Sequence, residues 1–469
     1  MSSAVALAEA GLQVRVFEKR PHLGGRATSY TLPDGSEVDN CQHVTLGCCT
    51  NLADFYRRVG AEGKIRFYDR LFFADAQGRR STIEACALPP PFHMAPSFLL
   101  FSGLTLSDKR GIAKAMLAIA RSGGESPDIE GISMLDWLHR MNQTPGAIER
   151  FWRVVLVSAL DEDLARAGAR YGIDVFWKGF LGSRGGYRLG IPSVPLADLY
   201  DGCREAIAGR SGEVRHRCGV RQIRARENCF AAAILEDGSE VSADLCIAAV
   251  PHETLLGLLP PEMGENGGSL ESLRHIKTSP ITGVHLWFDR TVMTEPFLAL
   301  LDHTTQWIFN KTRLHETTGS DASKGDSGTK VTGQYLQLVI SASYDLVPRP
   351  RQEIIDLCMR ELADVLPGTR EAKLEKATVI KEVNATFSPA PNVDGLRPGQ
   401  RSAVKNLYFA GDWTRTGWPS TMEGAVRSGY LTAEAILSDL GRPLKFLQQD
   451  MPLEGLCKFW ADRRNHPTA

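Results

Sequence analysis

Residues 16–30 read VFEKRPHLGGRATSY, and this stretch contains the strongest indication of the fold. Glu18 ends an apolar run, and an acid at that point of a dinucleotide-binding fold accepts hydrogen bonds from ribose hydroxyls. Gly24 and Gly25 allow backbone amides to approach a pyrophosphate, to which Arg26 adds positive charge. The stretch therefore predicts a nucleotide-binding loop. A surface turn with a solvated arginine is the alternative.

A second informative stretch lies near the other end of the chain, where residues 406–430 read NLYFAGDWTRTGWPSTMEGAVRSGY. An apolar strand runs into Gly411 and Asp412, so the acid emerges at a strand end. A helix is predicted to begin near Ser420 or Thr421, and the free amides and positive dipole of its first turn favour an electron-rich group. We interpret this stretch as the second half of a cofactor site. A structural role for the Gly-Asp pair alone is the alternative.

Composition excludes several classes of protein. The 469 residues suit two or three domains, and 43% of them are hydrophobic, as in ordinary globular proteins. With 54 Lys and Arg against 55 Asp and Glu, net charge gives no attraction to nucleic acid. The ten cysteines have neither metal-site nor disulfide spacing, and the N-terminus lacks the basic region of a signal peptide, so we expect a cytoplasmic protein without a metal.

Helix and strand patterns alternate in a way typical of an α/β protein. Residues 107–170 are helix-rich, and their first helix is predicted to begin at Ser107. Strand patterns resume at VRQIRAR, FAAAILEDG, DLCIAAV, ITGVHLWFDR and QYLQLVISAS. We expect a discontinuous Rossmann-like domain from residues 1–60, 200–260 and 396–440. A mixed α+β substrate domain from residues 61–199 and 261–395, and a tail at 441–469, complete the prediction.

Together, EKRPHLGGRATSY and LYFAGDWTRTGWPSTMEGAVRSG resemble the flavin-binding signature of the amine oxidase and phytoene desaturase superfamily. DNCQHVTLGCCTNLADFYRRVGAEGKIRFYDRL and FLGSRGGYRLGIPSVPLADLY are in turn similar to bacterial squalene-associated FAD-dependent desaturases, the hydroxysqualene dehydroxylases of hopanoid pathways. The resemblance implies an FAD cofactor and an apolar isoprenoid substrate. It implies cofactor contacts from Glu18, Lys19, Gly24, Gly25, Arg26, Val220, Gly411, Asp412 and Met422. For Val220, a purely structural buried valine is the alternative.

The sequence departs from that resemblance at its start. Members of the superfamily open with an apolar strand and a G-x-G-x-x-G loop before the helix that this chain enters at SSAVALAEAG. No glycine cluster elsewhere has that spacing. The sequence thus predicts either a start assigned too far downstream or a truncated chain that retains FAD poorly.

The implied reaction is reductive removal of the hydroxyl of hydroxysqualene, which needs a proton donor and a dry pocket. Asp161 and His43 are the candidate catalytic residues, although three consecutive acids at 161–163 also suit a solvated or capping role, and His43 also suits a structural role. A polyene desaturase, a flavin amine oxidase and a redox-inactive lipid-binding remnant are the rival interpretations.

The uncharged residues 85–106, ACALPPPFHMAPSFLLFSGLTL, contain four prolines, which exclude a straight membrane-spanning helix. Apolar side chains and the basic helix that follows predict peripheral contact with an anionic membrane, on the cytoplasmic face of the inner membrane. The predicted docking residues are Leu88, Phe92, Met94, Phe98, Leu99, Leu100 and Phe101. A buried loop of the substrate domain is the alternative. The sequence leaves the oligomeric state open.

Overall fold

The computed structural model describes residues 1–125, 129–259, 270–315 and 333–465. The helices are α1 Ser2–Glu9, α2 Thr50–Arg58, α3 Ala95–Leu100, α4 Leu106–Ser122, α5 Met134–Arg140, α6 Pro145–Ala147, α7 Arg153–Leu160, α8 Ala169–Asp174, α9 Asp201–Ala208, α10 His252–Leu258, α11 Lys311–Leu314, α12 Arg351–Val365, α13 Met422–Asp439 and α14 Gly455–Asn465.

The strands are β1 Arg15–Phe17, β2 Ser29–Thr31, β3 Glu37–Asp39, β4 Thr45–Leu46, β5 Ile65–Tyr68, β6 Arg70–Ala74, β7 Arg80–Glu84, β8 Leu189–Pro192, β9 Glu213–Arg215, β10 Val220–Arg226, β11 Cys229–Leu235, β12 Glu240–Val241, β13 Cys246–Ala248, β14 Thr278–Phe288, β15 Phe297–Leu300, β16 Trp307–Asn310, β17 Gln334–Ile340, β18 Leu374–Phe387 and β19 Leu407–Phe409.

The described chain folds into two layers. Two parallel strand pairs form the centre of the first layer. β1 pairs with β9, and β13 pairs with β19, so each pair joins segments distant in the sequence. Helices α1, α2, α9 and α13 pack into one apolar core beside them, in which Val5, Phe55, Ile207 and Tyr430 are buried. Glu18 follows β1 and Gly411 follows β19, so both lie beyond the carboxyl ends of parallel strands, where α/β folds bind ligands.

A seven-stranded mixed sheet, in the order β18-β14-β17-β16-β15-β6-β7, forms the second layer. On one face, Val284, Leu286 and Phe288 alternate along β14 and share a core with Ile354 and Leu362 of α12. The other face contributes Trp307 and Phe309 of β16 to a separate core with helices α4 to α8. This second face carries the cavity described below.

The helix α4 begins two residues earlier than the sequence predicts. Thr105, and not Ser107, is its N-cap: the Thr105 hydroxyl accepts a hydrogen bond from the Asp108 amide, and the Asp108 carboxylate accepts one from the Thr105 amide. This reciprocal capping box satisfies two backbone donors at once, whereas a cap at Ser107 would lack the acidic partner.

Residues 85–106 fold as a loop followed by the short helix α3. Leu88, Phe92, Leu99 and Leu100 are exposed. The prediction that Phe101 is available for docking is wrong, because its ring is only 2% exposed and packs edge-on against Phe73. Phe98 and Met94 are partly buried against the core. In the part of the chain that the structure describes, every helix is too short or too polar to cross a membrane.

Candidate active site

A cavity of about 980 Å³ runs between the two layers. It begins at the ends of β1 and β19 and reaches α3 and α4. All nine residues that the sequence predicts as cofactor contacts line it, as do both candidate catalytic residues: Glu18, Lys19, Gly24, Gly25, Arg26, His43, Asp161, Val220, Gly411, Asp412 and Met422. The fold thus gathers them from segments almost 400 residues apart in the sequence.

The two loop glycines have different roles. Gly24 has a φ of +104°, and a Cβ there would collide with the carbonyl oxygen of Ala27 and lie 2.7 Å from the Tyr200 ring. Gly25 has a φ of +62°, and a Cβ on it would meet no atom within 4 Å. Packing therefore requires the first glycine, and the second leaves its backbone open to the cavity.

An ion pair between Arg26 and Asp412 lies at one side of the loop that contains Gly24 and Gly25. Arg26 Nη2 donates to Asp412 Oδ1 at 2.5 Å, and Arg26 Nη1 donates to the Ala385 carbonyl at 2.6 Å. The Ser420 hydroxyl donates to the other Asp412 oxygen. Burial alone would raise the pKa of Asp412, but the charge of Arg26 and the Ser420 hydrogen bond hold it below its usual value. Asp412 is therefore ionised at neutral pH.

The N-terminus of α13 adds backbone donors next to this ion pair. Thr421 is the N-cap, and its side chain accepts a hydrogen bond from the Gly424 amide at 3.0 Å. Met422 and Glu423, in the first turn, line the cavity. At Gly411, a Cβ would lie 2.8 Å from Trp413 Cδ1, so the turn before the helix requires glycine. The first turn of an 18-residue helix therefore borders the cavity with a partial positive charge.

Of the three consecutive acids, only Asp161 lines the cavity. Its φ of +51° ends α7 in a left-handed turn, after which Glu162 pairs with Arg166 and Asp163 pairs with Arg153. The Asp161 carboxyl accepts hydrogen bonds from the Ala342 amide and the Thr386 hydroxyl, both at 2.8 Å.

Burial raises the pKa of Asp161 well above its usual value, because the two hydrogen bonds do not compensate for the loss of solvent. Asp161 is 4% exposed, and no salt bridge neutralises it within the described residues. Its carboxyl is therefore held in the protonated form to a higher pH than an ordinary aspartate.

His43 lines the same cavity with a weaker set of contacts. Its Nδ1 lies 3.4 Å from the Cys41 carbonyl oxygen, and burial lowers its pKa. Cys41, two residues before it, has a φ of +59°, which is unusual for a residue other than glycine. At neutral pH His43 is therefore an uncharged imidazole on a tightly turned loop.

Aromatic rings form the remote part of the cavity, and sequence reasoning did not find them. Phe151 stacks on Phe176 with ring centroids 5.6 Å apart, and Phe98 packs edge-on against Phe151 at the same distance. Trp307 stacks on Phe309, and its indole nitrogen donates to the Ser158 hydroxyl at 2.7 Å. These residues come from four separate elements, and no spacing in the sequence relates them.

The chain matches the family described as flavin containing amine oxidoreductase over residues 1–437. The 15-cis-phytoene desaturase of Solanum lycopersicum is 27% identical to it, covering 96% of this chain and 78% of that protein. The zeta-carotene desaturase of Synechocystis sp. is 25% identical, covering 94% of this chain and 96% of that protein.

Solved structures share the fold at lower identity. An oxidoreductase from Methanosarcina mazei has a TM-score of 0.70 and 18% identity, over 93% of this chain and 97% of its own. Putrescine oxidase bound to putrescine has a TM-score of 0.68 and 14% identity, over 93% of this chain and 96% of its own. The predicted α/β fold class is confirmed.

Proposed function

The chain belongs to the flavin-containing amine oxidoreductase family, with FAD as cofactor, and we propose that it reductively removes the hydroxyl of hydroxysqualene to give squalene. One observation carries this proposal: the buried Asp161 carboxyl, with no salt-bridge partner among the described residues, borders a cavity whose remote walls are aromatic. Burial raises the pKa of this carboxyl well above its usual value, and such a group suits a reaction in which a hydroxyl must leave as water.

The residues present fit the cofactor. We propose that Glu18, Lys19 and Val220 hold the adenosine end, and that Gly24, Gly25 and Arg26 hold the pyrophosphate. Asp412, after Gly411, would bind the hydroxylated chain, and the first turn of α13 at Met422 would face the pyrimidine edge of the ring. The backbone of Gly25 is open to the cavity, and the buried Trp418 indole N–H has no hydrogen-bond partner within the described residues, so donors remain available. The proposed FAD domain comprises residues 1–60, 200–260 and 396–440.

In this proposal, the Asp161 carboxyl donates its proton to the substrate hydroxyl, the C–O bond breaks and water leaves. Reduced FAD, when bound, would supply a hydride for the new C–H bond, so that hydroxysqualene, one proton and one hydride would give squalene and water. The Ala342 amide and Thr386 hydroxyl hold the carboxyl in place. Since burial favours neutral Asp161, the carboxylate left after turnover takes up a proton again.

Polyene desaturation is the second candidate, supported by the relatives that are named phytoene and zeta-carotene desaturases. It requires a hydride to leave the substrate and a base to accept a proton. A carboxyl whose burial favours the protonated form is less suited to that second role. An amine oxidase is a weaker candidate, because Phe92, Met94 and Phe98 of the long uncharged segment 85–106 line the cavity and suit a long apolar substrate.

The test is to supply the purified protein with chemically reduced FAD under anaerobic conditions and to add hydroxysqualene. We expect squalene, identified by mass spectrometry, in an amount that follows the FAD oxidised. Parallel reactions contain oxidised FAD, a quinone acceptor and phytoene. Desaturated phytoene in those reactions, with no squalene in the first, would assign the protein to the desaturases.

We also propose that the protein works as a peripheral protein on the cytoplasmic face of a membrane. The support is its apolar substrate class and the uncharged residues 85–106. A substrate of this kind partitions into lipid, so an enzyme that meets the lipid surface avoids drawing it through water.

A further inference from the structure

Exposed apolar side chains are concentrated on one face of the molecule. Seven of the twelve large hydrophobic side chains that are exposed in the described chain come from residues 88–106 or from α14. Leu100 is 85% exposed and Leu99 is 61% exposed. The seven residues, which we call the α3–α14 patch, are Leu88, Phe92, Leu99, Leu100, Leu106, Leu456 and Phe459. A concentration of this kind marks an interaction surface more often than an isolated exposed leucine does.

Hydrogen bonds hold the two parts of the patch together. The Leu456 amide, in the first turn of α14, donates to the Pro90 carbonyl at 3.0 Å. The Arg184 guanidinium donates to the carbonyls of Ala87 and Leu88 at 2.9 and 3.2 Å. The sequence predicts a tail at 441–469, and its described part contributes the helix Gly455–Asn465 to the same surface.

The helix α3 separates this patch from the cavity. Ala95 and Phe98 line the cavity, while Leu99 and Leu100, next along the same helix, face solvent. Ala113 and Met116 of α4 line the cavity beside them, and Ala113 is itself exposed. The cavity thus approaches the surface between α3 and α4, at the patch.

Positive charge surrounds the apolar side chains. Arg110, Lys114, Arg184 and Lys458 are exposed, and Lys109 donates to the Leu99 carbonyl at 2.7 Å, which ties α4 to the end of α3. Of the acids near the patch, Asp108 is buried in the capping box of α4, Glu84 pairs with Arg70, and the Glu454 carboxylate accepts a hydrogen bond from the Arg184 amide. A rim of Lys and Arg around exposed leucines is complementary to anionic lipid headgroups above acyl chains.

We propose that the α3–α14 patch docks onto an anionic lipid bilayer, with Leu99 and Leu100 inserted, and that the isoprenoid enters the cavity between α3 and α4 from that bilayer. The entry route rests on the proposed function, whereas the docking does not. This surface replaces Phe98 and Phe101 as docking residues, since their rings are partly or fully buried.

The experiment measures co-sedimentation of the full chain with phosphatidylglycerol/phosphatidylcholine vesicles and with vesicles of phosphatidylcholine alone. We expect binding to the anionic vesicles to be at least about tenfold stronger. Leu99→Ser with Leu100→Ser should lower that binding by about tenfold or more, because two inserted side chains lose their burial. Leu456→Ser with Phe459→Ser tests α14 independently, and Arg110→Glu with Lys114→Glu should remove the preference for anionic vesicles.

The control is Leu440→Ser with Leu444→Ser, which changes two leucines outside the patch whose exposure, 45% and 49%, is close to the 39% and 48% of Leu456 and Phe459. Circular dichroism confirms that each variant is folded. Failure of the unchanged protein to sediment, or equal losses in patch and control variants, would overturn the docking. Turnover of detergent-solubilised hydroxysqualene separates the two proposals: the Leu99/Leu100 variant should retain it and lose only turnover of vesicle-embedded substrate. Loss of turnover from both sources would overturn the entry route.

Discussion

At the Asp412 end of the cavity, charged side chains pair across the chain, whereas at the Phe176 end aromatic rings contact one another. The Arg26–Asp412 pair joins residues 386 positions apart, yet each lies directly after a strand or in a glycine loop. Phe98, Phe151 and Phe176 meet through a helix and two widened helical turns that have no such markers.

The difference teaches where local sequence carries information about a site. A site that binds phosphate or ribose needs backbone amides and a charge at a strand end, and these features come from a few residues that are adjacent in the sequence. An apolar substrate needs only volume and surface, which many residues can supply. Binding at the Asp412 end should therefore depend on single polar atoms, whereas binding at the Phe176 end should depend on packing shared among several side chains.

The largest expected effect is at the charged end. Asp412→Ala removes the partner of Arg26 and the acceptor of the Ser420 hydroxyl, and should lose flavin absorbance after gel filtration. Removing one partner of a buried pair costs up to about 3–5 kcal/mol, and less here because Arg26 retains access to the cavity. Circular dichroism should still report a folded protein.

Asp439→Ala is the control for that variant, since Asp439, the last residue of α13, forms an exposed pair with Arg401. It should retain flavin at the unchanged affinity. Full flavin retention by Asp412→Ala would contradict the prediction that flavin binding at the Asp412 end depends on single atoms.

The next largest effect concerns Asp161, which lies between the two ends. Asp161→Asn keeps the acceptor for the Ala342 amide but cannot donate a carboxyl proton, so kcat should fall by about 10²–10⁴-fold. Because the acid form is active and burial raises its pKa, activity of the unchanged protein should be high at low pH and fall as pH rises through that raised pKa. The variant should lack this alkaline fall.

Asp163→Asn, at a neighbouring acid paired with Arg153, should change kcat little and keep the pH profile. If the activity of Asp161→Asn still falls at alkaline pH as in the unchanged protein, the group that titrates is not Asp161.

Sequence reasoning therefore identified candidate residues at the charged end of the cavity, but it did not identify the aromatic lining at the other end. Adjacent residues were enough to predict that Asp412 lies at the cavity. They also predicted that α13 begins near Ser420 or Thr421, and Thr421 is its N-cap. Asp161 was the predicted candidate, but adjacent residues gave no physical reason to prefer it to its two acidic neighbours, because the left-handed turn at its φ of +51° decides which carboxyl enters the cavity. Tyr200, which forces residue 24 to be glycine, lies 176 positions away, and only the fold brings the two together.

A smaller effect is expected at the aromatic end. Phe176→Leu keeps an apolar side chain but loses stacking on Phe151 and edge contact with Trp152. We expect a loss of about 1–2 kcal/mol in the free energy of unfolding, below the 3–5 kcal/mol of a Phe→Ala change, and a severalfold higher KM with unchanged flavin content. Urea unfolding and steady-state kinetics measure both. Loss of flavin from this variant would indicate that the two ends are coupled.

The smallest effect is expected at His43, the other residue predicted from the sequence as catalytic. Burial lowers its pKa, so it is neutral at pH 7, and its one hydrogen bond, to the Cys41 carbonyl, is long at 3.4 Å. His43→Gln keeps a polar side chain of similar length, so kcat should fall less than about threefold, far below the range for loss of a general acid. The alkaline fall set by Asp161 should remain. A drop in kcat as large as that of Asp161→Asn, with its pH profile altered in the same way, would instead assign the proton donor to His43, because a residue that only shapes the loop could not remove that titration.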